Sequence, residues 1–245
     1  MSSEFVLSHK QDSILTLTLN RAEKKNALTT SMYTDMVNAL NDAKDDTNIK
    51  VVLIRGHEMA FTAGNDLNDF NSRDFNKKSP AICFLEALHT FEKPIVAAVS
   101  GVAVGIGSTM LLHCDLVYAA PKTRFRMPFI NLGLVPEGGS SLLVPMRIGH
   151  QRASRLLMLG EFFNSRDAFE AGIVSQQVAL ESLFEHAKQA ALRLAKLPQP
   201  ALIATKKLMK QELACQISDT INREAQVFGQ MLQTPESQKL RNNTL

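Results

Sequence analysis

The chain has 245 residues, enough for one large domain with a sizeable core or a domain with an appendage. It is 45% hydrophobic and 21% charged, with a formal net charge of +3; it lacks a dense basic run with interleaved aromatics, which argues against a nucleic-acid partner and suits an anionic small ligand. Its three cysteines, Cys83, Cys114 and Cys215, lie far apart without a CxxC, which argues against a disulfide framework or zinc ribbon and fits a reducing compartment. Histidines are scattered with no HxxxH pair, and the neighbours His113, Cys114 and Asp115 point apart, so no metal site is expected. No basic-then-apolar leader opens the chain, and no apolar run approaches the ~20 residues of a membrane span. Asn243-Thr244-Leu245 is not an address of the SKL type. A cytoplasmic protein with no membrane association is expected.

In chain order, "SILTLTLN" (Ser13 to Asn20) alternates as a strand does, and Phe5 to His9 pairs with it through a turn at Lys10 to Asp12. Thr29 to Lys44 carries Met32, Met36, Val37 and Leu40 at helical spacing, with Thr29 or Thr30 as its cap. "VVLIRG", "PIVAAVSGV" (Pro94 to Val102) and "DLVYAA" read as continuous apolar strands of the buried kind. Between the last two, "AVGIGSTMLLHC" reads as a helix entered through glycines. Asn71 to Ser79, polar and charged, reads as a mobile surface loop. After Val178 the pattern is wholly helical: Ser182 to Leu197, Ala201 to Glu212, and Ser218 to Leu232, punctuated by "LPQPA". Strands alternating with helices predict a layered α/β core over residues 1–196 and a helical region over 197–245.

Two stretches share the form strand, glycine turn, helix: "AFTAGNDL" (Ala60 to Leu67) and "VSGVAVGIGSTMLLHCD" (Val99 to Asp115). Neither is GxGxxG, and no GxxxxGK[ST] occurs, so nucleotide-phosphate fingerprints are absent. Two such turns can each offer one backbone N–H to a single oxygen, forming an oxyanion hole. A third stretch, "GLVPEGGSS" (Gly133 to Ser141), sets Glu137 between a proline and two glycines. A glutamate there either complements the dipole of the following helix or is held in place as a proton shuttle.

Five blocks in order carry a resemblance: "LTLNRAEKKNALT", "AFTAGNDL", "KPIVAAVSGVAVGIGSTMLLHCDLVYAA", "FRMPFINLGLVPEGGSS" and "RASRLLMLGEFFNSRDAFEAGIVSQ". The chain resembles the crotonase superfamily, the enoyl-CoA hydratases and isomerases. The resemblance implies a crotonase (ClpP/crotonase-like) α/β fold of repeated ββα turns, with C-terminal helices mediating homotrimer or hexamer assembly. It implies an acyl-CoA thioester as substrate, with coenzyme A part of that substrate and no separate cofactor. It places the oxyanion donors at the backbone N–H of Ala63 and of Ile106. It also places Gly64, Asn65, Asp66, Leu67, Gly105 and Phe129 along the substrate, and Lys24 and Lys25 near the CoA phosphates. Met127, Phe129 and Leu132 would line an acyl tunnel or simply pack in the core.

The two positions at which hydratases carry glutamates hold Thr109 and Phe129 here, and neither side chain is a carboxylate. Glu137 instead matches the single glutamate of the Δ3,Δ2-enoyl-CoA isomerase branch, and "GNDL" resembles the peroxisomal-type isomerases. One carboxylate suffices for that chemistry, which takes a proton from C2 and returns one to C4 while two N–H groups hold the enolate oxygen. The resemblance thus implies fatty acid β-oxidation. Hydration, dienoyl isomerisation, decarboxylation and non-catalytic acyl-CoA binding are its rivals.

Overall fold

The computed structural model describes residues 4–68 and 78–243. Most of the loop expected at Asn71 to Ser79, and Lys77 within it, lies outside the described residues. The chain opens with a hairpin of β1 (Val6–Gln11) and β2 (Ile14–Leu19). Its turn is tighter than expected, because Lys10 and Gln11 stay in register with Leu15 and Ile14. Asp12 and Ser13 alone reverse the chain, both at positive φ (52° and 63°), as a two-residue hairpin turn demands.

Parallel strands then add to β2: β3 (Val51–Arg55), β4 (Ile95–Val99), β6 (Leu116–Ala119) and the short β9 (Gln176–Gln177), giving the order β1-β2-β3-β4-β6-β9. The apolar runs have no polar alternation because both faces are covered. Val52, Ile54, Ile95 and Ala97 join the main core, while Val51, Leu53, Val96 and Ala98 face the other way. That second layer is α7 (Leu180–Lys196), which lays Leu183, Ala187, Ala190 and Ala191 against the sheet. The main layer contains α1 (Thr30–Asp45), whose Thr29 side chain accepts the Met32 N–H at 3.3 Å, and α2 (Pro80–Thr90).

The segment expected as one strand from Pro94 to Val102 is instead two strands. The chain leaves the large sheet at Ser100–Gly101 and starts β5 (Val102–Val104), which pairs with β7 (Arg124–Arg126) and through it β8 (Phe162–Asn164) in a second, three-stranded sheet. The reason is competition for hydrogen bonds: Phe61 N–H is shared between the carbonyls of Ser100 and Val102, at 2.8 and 3.0 Å. The glycine-entered helix is only α3 (Ile106–Thr109), continued as a 3-10 turn over Met110–His113. Then come α4 (Ser140–Ile148), α5 (His150–Met158) and α6 (Ser165–Glu170).

Beyond α7, the helices expected at Ala201 to Glu212 and Ser218 to Leu232 are one helix, α8 (Gln199–Leu232), of 34 residues. No glycine or proline lies between Ala201 and Val227 to stop it, and Pro200 sits in its first turn, where proline is tolerated. The helix is about 50 Å long at 1.5 Å per residue. Ile217, Ile221, Phe228 and Leu232 belong to the same hydrophobic cluster as the sheet, so this apolar stripe is buried within the chain itself. A last helix, α9 (Pro235–Asn242), returns to the loop over Ile130–Leu132, where Ser237 Oγ donates to the Leu132 carbonyl at 2.8 Å. Among the described residues, no helix is long and apolar enough to cross a membrane.

Candidate active site

The two glycine turns meet side by side. Thr62 bridges Ala103 in parallel register, with Val104 N–H donating to the Thr62 carbonyl at 3.0 Å. Three residues further along each segment stand Asn65 and Ile106. The approach is close: a Cβ on Gly64 would lie 2.8 Å from the Val104 carbonyl oxygen, so only glycine fits.

Around this junction the backbone donors are nearly all committed. Ala63 donates to Lys25 O at 2.9 Å, Gly64 to Thr62 Oγ1 at 3.0 Å, Asp66 to Leu28 O at 2.9 Å and Gly105 to Arg126 O at 2.8 Å. The expectation of a free donor at Ala63 is therefore corrected: its N–H already closes the turn against Lys25. The N–H groups of Asn65 and Ile106 are among those left without a protein acceptor in the described residues. For Asn65 this follows from its parallel bridge to Leu28, in which Gly64 O and Asp66 N make the bonds and the Asn65 N–H points the other way. For Ile106 it follows from its place as first residue of α3, where no intrahelical acceptor exists.

The first turn is braced from behind. Asn26, fully buried at a left-handed φ of 56°, donates to the carbonyls of Ala60 and Phe61, each at 3.0 Å. Thr62 Oγ1 donates to Asn26 O at 2.6 Å. Asp66 accepts from Arg21 Nη1 at 2.7 Å and from Asn68 N–H at 3.0 Å. Burial pushes the Asp66 carboxyl up, but these bonds and the Arg21 charge outweigh it and hold the carboxyl below the usual range. Asp66 is thus a brace for the turn, and the Asn65 side chain likewise accepts the Tyr33 hydroxyl. Leu67 is half-buried just after the turn, and Lys24 is exposed, next to the Lys25 carbonyl that holds Ala63.

Glu137 enters from the opposite side, on the loop before α4. Gly138 and Gly139 sit at φ 70° and 75°, and a Cβ on Gly138 would lie 3.3 Å from Thr109 Cβ. The loop therefore packs directly on α3, and His113 Nε2 lies 2.8 Å from the Gly138 carbonyl. Burial pushes the His113 pKa down to about 3, so the neutral ring donates that hydrogen bond. Glu137 itself is 3% exposed, and its carboxyl accepts the Thr109 hydroxyl. Burial pushes its pKa up to about 8, the Thr109 bond opposes that rise, and the negative charge of Glu224 adds to it. Thr109 is three residues after Ile106 on α3, a rise of about 4.5 Å, so the carboxyl and the Ile106 N–H belong to one small region.

Glu137 does not serve the dipole of α4. That position is filled by Glu224 of α8, whose carboxylate accepts the N–H groups of Gly139 at 2.6 Å and Ser141 at 2.8 Å. Sequence reasoning missed Glu224. Its signal was an acid on the apolar stripe Ile217, Ile221, Phe228 of a helix. Phe129 walls the site beside the donor turn, 4.0 Å from a Cβ built on Gly105, and its ring packs edge-on against Phe228 at 6.5 Å. Met127 lies in the main core, and Leu132 packs partly buried against it. Among the described residues, no three His, Cys, Asp or Glu side chains cluster as metal ligands.

Uncommitted backbone donors on two adjoining glycine turns, with a buried acid held at the end of the helix that one of them starts, in an α/β core of this architecture, define an acyl-CoA enzyme of the crotonase fold. The chain belongs to the enoyl-CoA hydratase/isomerase family, whose model matches residues 9–243. It is 34% identical over 238 residues to the 2,3-dehydroadipyl-CoA hydratase of Escherichia coli (strain K12), covering 96% of this chain and 92% of that protein. It is 35% identical to enoyl-CoA delta isomerase 2 of Rattus norvegicus, covering 85% of this chain and 55% of that protein. The structure of Pseudomonas aeruginosa OdaA superposes with a TM-score of 0.96 at 41% identity, covering 99% of both chains.

Proposed function

We propose that the protein is a Δ3,Δ2-enoyl-CoA isomerase that moves a 3-enoyl-CoA double bond to the 2-trans position in fatty acid β-oxidation. The observation that carries this reading is the buried carboxyl of Glu137, held by Thr109, which stands at one of the two positions where a hydratase would carry a glutamate. The other buried acid nearby, Glu224, is engaged by two backbone N–H groups. One carboxylate cannot both activate a water and protonate a carbon by separate groups, but it can relay one proton within a substrate.

In this mechanism ionised Glu137 removes a proton from C2, and the C2–H electron pair delocalises into the thioester as a dienolate. The N–H groups of Asn65 and Ile106 stabilise the resulting oxygen charge. The C2–C3 double bond then forms as C4 takes the same proton back from Glu137, which leaves the carboxylate as it began. Phe129 keeps water from the dienolate. Lys24, exposed at the rim of the donor turn, suits the anionic end of the CoA moiety.

The test follows ultraviolet absorbance of the conjugated thioester formed from 3-enoyl-CoA, with wild type and the Glu137→Gln variant side by side. Conjugation that requires Glu137 and occurs without addition of solvent oxygen supports the isomerase; hydrated product overturns it. We further propose self-association into a trimer or hexamer. Met158, Leu159 and Phe169, 66%, 59% and 50% exposed, supply apolar surface for it.

A further inference from the structure

The acid that holds the active-site loop comes from the far end of the chain. Glu224 is 7% exposed on α8, and its two carboxylate oxygens each accept one backbone N–H, Oε2 from Gly139 and Oε1 from Ser141. These two donors flank the entry to α4, and Gly139 is two residues from Glu137. The loop has no side-chain cap of its own, because its N-cap residue is a glycine. Its other ties are His113 to the Gly138 carbonyl at 2.8 Å, Ser140 Oγ and the Ser140 N–H to the Glu137 carbonyl at 2.7 and 3.2 Å, and the Thr109 hydroxyl to the Glu137 carboxyl. With glycines at positive φ on both sides of the Gly138–Gly139 bond, the backbone could adopt other turns. A bidentate carboxylate selects the one in which Glu137 faces Thr109.

We propose that Glu224 is a positioning residue for the reaction: it clamps the Gly139–Ser141 backbone so that Glu137 is aimed at the substrate, and its charge lies behind that acid. The inference rests on the reading of Glu137 as the base.

The charge has consequences as well as the clamp. Glu224 repels a negative charge on Glu137, which adds to the burial that already disfavours ionisation. Burial also raises the Glu224 carboxyl above its ordinary value, while its bonds to Ser141 and Gly139 and the charge of Arg223 oppose the rise. The other titratable groups of the packed elements are held elsewhere. His89 of α2 bonds the Ala214 carbonyl, His113 is neutral, and Arg147 of α4 donates to the carbonyls of Leu112 and Gly172. No salt bridge joins Glu137 or Glu224 among the described residues.

The experiment compares Glu224→Gln, which keeps one acceptor oxygen but loses the charge, with Glu224→Asp, which keeps the charge but shortens the reach. Each is measured for melting temperature, acyl-CoA affinity and the pH profile of kcat/KM, with Glu137→Gln in parallel. Folded Glu224→Gln should lose at least ~10-fold in kcat with affinity kept within about 2-fold, and its pH limb should move to lower pH by roughly half a unit or more. Glu224→Asp should lose kcat with the limb nearly in place. Normal kcat and an unmoved limb in Glu224→Gln, or two variants impaired only in stability, would overturn the proposal. Those outcomes alongside an inactive Glu137→Gln sink Glu224 alone; an active Glu137→Gln sinks the base assignment itself.

Discussion

The Thr109 hydroxyl donates to the Glu137 carboxyl across a contact that spans 28 residues of sequence. Thr109 ends the same four-residue helix that Ile106 begins. One element therefore carries a free backbone donor at its start and the partner of a buried acid at its end.

Glu137→Gln keeps the size of the side chain but cannot take a proton from C2. Its kcat on 3-enoyl-CoA should fall by at least ~10²-fold, the scale of general acid–base catalysis, with acyl-CoA affinity little changed. Steady-state assay with calorimetric binding on one preparation checks both. Retained turnover would end the isomerase reading.

A base whose pKa is pushed up to about 8 gives a rising pH limb. At pH 7 only about a tenth of the empty protein is ionised at Glu137, so kcat/KM should climb with pH and level off above about pH 8. Folding raises this carboxyl from the ordinary 4.5, so between 4.5 and about 8 the native chain holds a proton that the unfolded chain has released. The contribution to stability is fully present below 4.5 and is lost as pH rises through about 8. Glu137→Gln has no such proton. Its melting temperature relative to wild type should therefore rise from pH 5 to pH 8.5; a constant difference would contradict the shift.

Thr109→Val removes the hydroxyl that stabilises ionised Glu137 while keeping the side-chain shape. A hydrogen bond to a charged group is worth ~1.5–3 kcal/mol, so the pH limb should move upward by about one to two units. At pH 7 kcat/KM should drop at least ~10-fold, and the loss should shrink as pH rises. A pH-independent loss would show that Thr109 only packs.

The donor assignment separates Asn65 and Ile106 from Ala63. An amide-to-ester replacement at Asn65 deletes its N–H and should cost ~10²–10³ in rate, as should Ile106→Pro in a variant shown to be folded. The same replacement at Ala63 breaks only the bond to Lys25 and should lower stability with turnover intact. Equal rate losses at Ala63 and Asn65 would return the expectation to Ala63.

Self-association can be read by light scattering at micromolar concentration, where a mass above the monomer is expected. Leu159→Glu should reduce it, because that side chain is exposed at 59%. A monomer in the wild type would contradict assembly.

The sequence by itself marked the buried strands and most helices, though not all their ends, and singled out Glu137. β-Branched alternation marked β2, the apolar runs marked the buried parallel strands, and the proline–glycine frame singled out Glu137, all through local propensity and spacing. The glycine turns were equally legible, because only glycine suits such close approaches. Tertiary structure alone decided which N–H groups remain free, since that depends on acceptors far away in sequence: Lys25 takes the Ala63 donor, and the Leu28 bridge turns Asn65 outward. It also decided which acid caps α4. Glu224 and Gly139 are 85 residues apart, and nothing local to either announces the other. Hydrogen-bond satisfaction is a property of the folded neighbourhood, so a sequence can name a candidate base and still leave its partners to be chosen by packing.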